Sequence, residues 1–179
     1  MARVHIVGAS GSGTTTLGRA LAGRLDAAHL DTDDFFWLPS DPPFEHIRPT
    51  AERQALLAEA LARHPAWVLS GSLCGWGDIF IARFDLVIYV WLPPDVRLAR
   101  LRRRETERYG AAAIAPGGPL HDKAEAFMAW AARYDDGEVV ERSRAMHEAW
   151  LARLRCPVVR LTTAAPVDGQ VDAVLSHLR

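Results

Sequence analysis

Val4-His-Ile-Val-Gly-Ala-Ser-Gly-Ser-Gly-Thr-Thr-Thr16 decides how this chain folds. From Gly8 to Thr15 it fits the phosphate-loop pattern G-x-x-x-x-G-K-[ST] at every fixed position but one, because Thr14 stands where the lysine belongs. A short apolar run, Val4 to Val7, enters the glycine-rich turn, and Leu17, Leu21 and Leu25 follow four residues apart, so a strand, a turn and a helix are expected in that order. Backbone N–H groups converging at a helix N-terminus bind phosphate without help from a side chain. Gly8, Ser10, Gly11, Ser12, Gly13, Thr14, Thr15 and Thr16 are therefore the candidate nucleotide-binding residues, with Thr15 the expected hydroxyl ligand of Mg²⁺. Thr14 cannot place an ammonium between the β- and γ-phosphates, where charge shifts during phosphoryl transfer.

Around this loop the pattern is that of an α/β protein. Strand-like runs at Val4–Val7, Trp67–Ser70, Leu86–Leu92 and Val158–Leu161, with a weaker one at Ala28–Asp31, alternate with helical stretches. That alternation predicts a parallel sheet covered on both faces. Leu86-Val-Ile-Tyr-Val-Trp-Leu92 is apolar without alternation, as a central strand should be. Helices are expected near 50–63, after Asp95, near 122–135, near 138–154 and over 167–178. Within 122–135, Phe127, Trp130, Ala131 and Tyr134 fall at helical spacing and read as core. Ligands of such sheets bind beyond the C-terminal ends of the strands, so the site should draw on residues that follow them.

Asp31 and Asp33, after the second strand, are the carboxylates so placed: one to hold hydrated Mg²⁺, the other to address an acceptor hydroxyl. Asp34 is the third carboxylate crowded at this edge, a solvated acidic turn or a helix cap by Asp34 being the plainer alternative, and Asp85, which precedes its strand, reads as structural. Ser70-Gly71-Ser72 ends the third strand without an acid, and Gly71 is expected to admit an acceptor close to the backbone or simply to turn the chain. On the helix after Asp95, Arg97, Arg100, Arg104 and Arg108 are spaced to line one face, where forked guanidinium donors suit phosphate oxygens. Arg100 and Arg104 are the candidates to supply the charge that Thr14 lacks; Arg142 and Arg144 are secondary ones.

Composition limits the alternatives. The 179 residues carry 21 Lys and Arg against 22 Asp and Glu, a net charge of −1, so nothing draws the whole chain to nucleic acid or acidic lipid. No apolar run approaches the ~18 residues of a membrane span, and a cytoplasmic monomer or homodimer is expected. Cys74 and Cys156 lie far apart and read as free thiols, and the histidines show no zinc-ligand spacing.

On these residues the chain resembles small kinases of the adenylate kinase and shikimate kinase superfamily over nearly its whole length. The likeness rests on Gly8–Thr15, on Asp31-Thr-Asp33, and on Phe84–Leu92 running into Pro93-Pro-Asp-Val-Arg-Leu-Ala-Arg-Leu-Arg-Arg-Arg104. It implies a three-layer phosphate-loop fold in a single domain over 1–179, with a five-stranded parallel sheet, an acceptor-binding insert at about 33–66 and an arginine-rich lid at about 109–136. It implies ATP and Mg²⁺ as cofactors and a small-molecule or nucleotide acceptor. Asp31-Thr-Asp33 is similar to the pair in shikimate and gluconate kinases that faces metal and acceptor, and Gly11-Ser-Gly-Thr-Thr-Thr16 to the loop of some archaeal cytidylate kinases. Trp67–Ser72 and Glu125–Trp130 resemble stretches of bacterial topology modulation and adenylate kinase-like proteins. The adenylate kinase signature Asp-Gly-[FY]-Pro-Arg and the triple glycine of shikimate kinase are both absent after the third strand. The expected activity is ATP-dependent phosphotransfer to a hydroxyl or nucleoside monophosphate; the alternative is a nucleotide-binding regulatory protein or weak ATPase.

Overall fold

A computed structural model describes residues 2–136, 142–162 and 165–178. Its centre is a parallel sheet of five strands, β1 (Arg3–Gly8), β2 (Ala28–Asp31), β3 (Trp67–Ser70), β4 (Leu86–Val90) and β5 (Val158–Leu161), in the order β2-β3-β1-β4-β5. The helices are α1 (Thr14–Leu25), α2 (Thr32–Phe36), α3 (Thr50–Ala62), α4 (Pro94–Tyr109), α5 (Ala111–Ile114), α6 (His121–Ala132), α7 (Arg144–Leu151) and α8 (Val167–Leu175).

Side chains of a strand point alternately to its two faces, and here both faces are apolar. Val4 and Ile6 of β1, Val68 of β3 and Leu86, Ile88 and Val90 of β4 pack with Leu17 and Leu21 of α1 and Val171 and Val174 of α8. Val7, Trp67, Leu69, Val87 and Tyr89 point the other way and pack with Leu57 and Leu61 of α3 and Trp150 and Leu151 of α7. A third cluster, Leu101 with Met128 and Ala131, joins α4 to α6.

Several expectations are refined here. The apolar run of β4 ends its ladder at Val90, because Pro93 and Pro94 follow and Pro94 opens α4. The helix near 138–154 is realised as α7, while 138–141 lie outside the described residues. Between 111 and 119 the chain forms α5, and Leu120 N–H donates to the Ala113 carbonyl. Asp85 accepts a 2.9 Å hydrogen bond from the Arg3 N–H at the start of the sheet. Both cysteines are free. Among the described residues no helix is long and apolar enough to cross a membrane.

Candidate functional site

The C-terminal ends of β1, β2 and β3 and the first turns of α1 and α4 meet in one corner. Gly11 (φ +81°) and Gly13 (φ +96°) turn the loop in left-handed backbone that side chains resist. A Cβ on Gly11 would also lie 2.6 Å from the Arg97 carbonyl, so the loop is pressed against α4. Ser12 Oγ donates to the Ala9 carbonyl at 2.7 Å and braces the turn from inside. Gly13 is the N-cap of α1, no side chain caps the helix and its first turn holds no acid, which leaves its N–H groups for an anion.

Thr15 Oγ1 donates to Asp31 Oδ2 at 2.8 Å. The sheet register sets this pair: Asp31, last residue of β2, lies beside Ser70 of β3, which in turn pairs with Ile6 of β1. Ser70 Oγ is 3.5 Å from Asp31 Oδ2 and 2.8 Å from His29 Nε2. Asp31 Oδ1 accepts from the Asp33 N–H at 3.1 Å, which makes Asp31, not Asp34, the N-cap of α2. The hydroxyl of Thr15 and the carboxylate of Asp31 form an all-oxygen donor set of the kind Mg²⁺ takes, next to the uncapped N-terminus of α1. That chemistry fits the ion the sequence implies.

Asp33 reaches a cavity of about 700 Å³ that lies between α2, α3, α4 and α6 and also exposes Ser10 of the loop. It is open to water through the cavity, but the surrounding protein removes enough hydration to raise its carboxyl pKa. The nearby Arg142 and Arg104 oppose that rise, and Asp31 and Asp34 add to it. Cys74, in the same wall, has its thiol pushed up to about 11 by burial, which disfavours the thiolate near neutral pH.

The arginine row divides. Arg97 is fully buried: it donates to the Leu92 carbonyl at 3.1 Å, to the Ala131 carbonyl at 3.4 Å and to Asp135 Oδ2 at 2.7 Å, so it anchors α6 rather than facing phosphate. It belongs to the inward stripe of α4 with Leu101 and Glu105. Arg100 stays exposed with its Nη1 3.5 Å from the space above Gly13, beside the loop. Arg104 and Arg108 line the cavity, share Glu105 at 3.2 and 3.5 Å, and lie over the rings of Phe127 and Phe44. Arg142 also lines it, over Trp130, whereas Arg144 lies 3.8 Å from Asp135 and outside the cavity lining.

Gly71 does not open a path for an acceptor. At φ +109° a Cβ there would sit 1.8 Å from Thr32 Oγ1, so its freedom serves packing against α2. Two features of the cavity escaped the sequence reading. Arg53, buried on the same face of α3 as Leu57 and Leu61, is one; its spacing of four from Leu57 is the available signal. The other is the aromatic lining: Phe127 and Trp130 are only partly buried and form cavity wall, and only Ala131 and Tyr134 of that helical set are core. Behind the wall Ser72 Oγ lies 3.2 Å from His147 Nε2, Tyr134 Oη 2.6 Å from His147 Nδ1 and Tyr89 Oη 3.0 Å from Tyr134 Oη.

Comparison with known proteins agrees with this arrangement. Uncharacterized protein YqaC of Bacillus subtilis is 46% identical over 175 residues, covering 98% of this chain and 96% of its own. Cytidylate kinase of Archaeoglobus fulgidus is 24% identical over 119 residues, 58% of this chain and 62% of that one. Among solved structures, shikimate kinase from Acinetobacter baumannii in complex with shikimate superposes with a TM-score of 0.59 at 14% identity, over 99% of this chain and 93% of that one. A shikimate kinase from Bacteroides thetaiotaomicron gives 0.60 at 18% identity, over 99% and 98%. The fold is thus the three-layer α/β fold of nucleoside monophosphate and shikimate kinases. The family described as AAA domain matches residues 4–118, and with the phosphate-loop corner built from that same span, the chain belongs to this family.

Proposed function

We propose that the protein is an ATP-dependent phosphotransferase that acts on a small-molecule or nucleotide acceptor in the cytoplasm. The observation that carries the reading is the 2.8 Å bond between Thr15 and Asp31, at the uncapped end of α1 and two residues from the carboxylate that faces the cavity. Backbone N–H groups from Ser10 to Thr15 cradle the ATP phosphates, with Gly8, Gly11 and Gly13 shaping the loop and Thr14 and Thr16 flanking its hydroxyl ligand. Thr15 and Asp31 hold Mg²⁺, which when bound neutralises charge on the β- and γ-phosphates. Asp33 accepts the proton of the acceptor hydroxyl as its oxygen bonds to the γ-phosphorus; the bond from that phosphorus to the bridging oxygen breaks and ADP leaves. A raised pKa suits Asp33 to that proton transfer. Arg100, next to Gly13, supplies positive charge in place of the lysine that Thr14 replaces, and Arg104 meets the transferred group from the cavity side. The insert at about 33–66 then holds the acceptor and the lid at about 109–136 covers it.

The test is ADP production from Mg²⁺-ATP with and without candidate acceptors. Acceptor-dependent ADP is the expected result. ADP at the same rate in every blank identifies a weak ATPase. Tight ATP binding with no turnover identifies a nucleotide-binding regulatory protein, the reading that Thr14 favours.

A further inference from the structure

Four side chains behind the cavity wall hydrogen-bond in series. Ser72, two residues past β3, meets His147 of α7 at 3.2 Å; His147 meets Tyr134, in the turn after α6, at 2.6 Å; and Tyr134 meets Tyr89 of β4 at 3.0 Å. All four are buried, and of the four Ser72 alone lines the cavity. Burial pushes the His147 pKa down to about 3, which leaves its ring neutral, and raises both phenols above their usual value. Each member of the series therefore holds one proton to give, and the series runs in one of two directions.

If Ser72 gave its proton to His147, the ring would donate from Nδ1 to Tyr134, and Tyr134 to Tyr89. The Tyr89 proton would then end the series inside the protein without an acceptor: among the described residues Tyr134 is the one hydrogen-bond partner of Tyr89, and Arg160, over its ring at 5.4 Å, only donates. In the opposite direction every interior donor is used, as Tyr89 donates to Tyr134, Tyr134 to His147 Nδ1, and His147 Nε2–H to Ser72 Oγ. The distances agree with this direction. A separation of 2.6 Å is that of a phenol donor, whereas 3.2 Å suits a ring N–H and is long for a hydroxyl. The proton of Ser72 is left over. Its other partner in the protein is the Cys74 thiol, in the same wall and only a weak acceptor.

We infer that Ser72 is a specificity residue of the cavity: a one-way chain from Tyr89 through Tyr134 and His147 makes it a hydrogen-bond donor, and the ligand group it takes is one that only accepts, of which a carbonyl oxygen is the simplest. An amino group at that place would face a second donor and be rejected. Ser72 is the member that meets the ligand; His147, Tyr134 and Tyr89 are positioning residues. This deepens the phosphotransferase reading by naming a group that the acceptor carries, and rests on that reading for the word acceptor alone.

The experiment is ¹⁵N NMR of the full chain labelled at histidine, at pH 7 and without ATP, with the His147 signals identified by their loss in His147→Gln. Nε2 should carry the proton and Nδ1 none. A protonated Nδ1 overturns the inference, because Ser72 then gives its proton inward. Tyr134→Phe, which keeps the ring, should move the Nδ1 resonance towards that of a bare ring nitrogen and leave the proton on Nε2; an unmoved Nδ1 overturns the inference as well. The cavity is probed with acetophenone, whose carbonyl only accepts, and with α-methylstyrene, which has the same shape with CH₂ in place of the oxygen. Saturation with acetophenone should shift the His147 Nε2 resonance, since hydrogen bonds in series polarise one another, and α-methylstyrene should not. Ser72→Ala, checked for an unchanged fold by circular dichroism, should abolish that shift and weaken acetophenone about fivefold, with little change for α-methylstyrene. No shift with acetophenone, or one that survives Ser72→Ala, overturns the inference. None of these readouts involves ADP, so a chain that binds as stated but transfers no phosphate keeps the site and loses the phosphotransferase reading. Acceptor-dependent ADP release from a chain with a protonated Nδ1 does the reverse.

Discussion

The two sides of the site are made of different material. The loop corner is backbone: glycine dihedrals, uncapped N–H groups and one hydroxyl–carboxylate bond. The cavity is side chain: rings from the 33–66 stretch and α6, and arginines from α3, α4 and the segment just before α7. A backbone site is specified by a few residues in fixed order along the chain. A side-chain cavity is specified by distant residues that only the finished fold brings together.

The sharpest way to break that contrast is to remove the bond between Thr15 and Asp31. Asp31→Asn should lower acceptor-dependent ADP formation by about 10³-fold, about 4 kcal/mol, with thermal melting moved by only a few degrees. A loss below tenfold would mean that the corner does not hold the metal through Asp31. Next in size, Gly11→Ala forces a side chain to φ +81° and into the Arg97 carbonyl. It should cost about 3 kcal/mol of stability in denaturant titration and abolish ATP binding.

Acid should separate the two sides. Burial pushes the His147 pKa down to about 3 and that of His5 to about 4, so the folded chain binds fewer protons than the unfolded one, where histidine titrates near 6.5. The stability these two residues provide is complete above pH 6.5 and is lost as pH falls, by about 2 kcal/mol each at pH 5. Since His147 braces Ser72 in the cavity wall, acceptor binding should weaken with it before ATP binding does; His147→Gln should remove about half of the acid loss. The smallest effect tests the missing lysine. Arg100→Ala should lower ADP formation about tenfold, and Thr14→Lys should recover most of it in that background while changing the otherwise native chain less than tenfold. No recovery would show that Arg100 does not stand in for the lysine.

The contrast also explains what could be read from the sequence. The five-strand alternation was legible because each buried strand is a short apolar run with a turn after it, and the register of β2 on β3 follows once the order is set. Asp31 and Thr15, sixteen positions apart, could be placed at one edge because both follow strands. Arg53 could not, because a charged residue in the first turn of a helix ordinarily faces water. Phe127 and Trp130 were read as core because helical spacing reports which face is apolar, not whether protein or a cavity lies against it. Arg97 failed for the opposite reason: the row of arginines suggested one role, but the stripe it shares with Leu101 and Glu105 turns it under α6.

Arg97 has a mechanical meaning as well. Its fully buried guanidinium fastens Leu92, just after β4, the last turn of α6 and the partly buried Asp135 to α4. Tied in this way, α4 and α6 form one packed unit around a buried cation, so the helix that carries Phe127 and Trp130 cannot part from the helix that carries Arg100 without uncovering that charge.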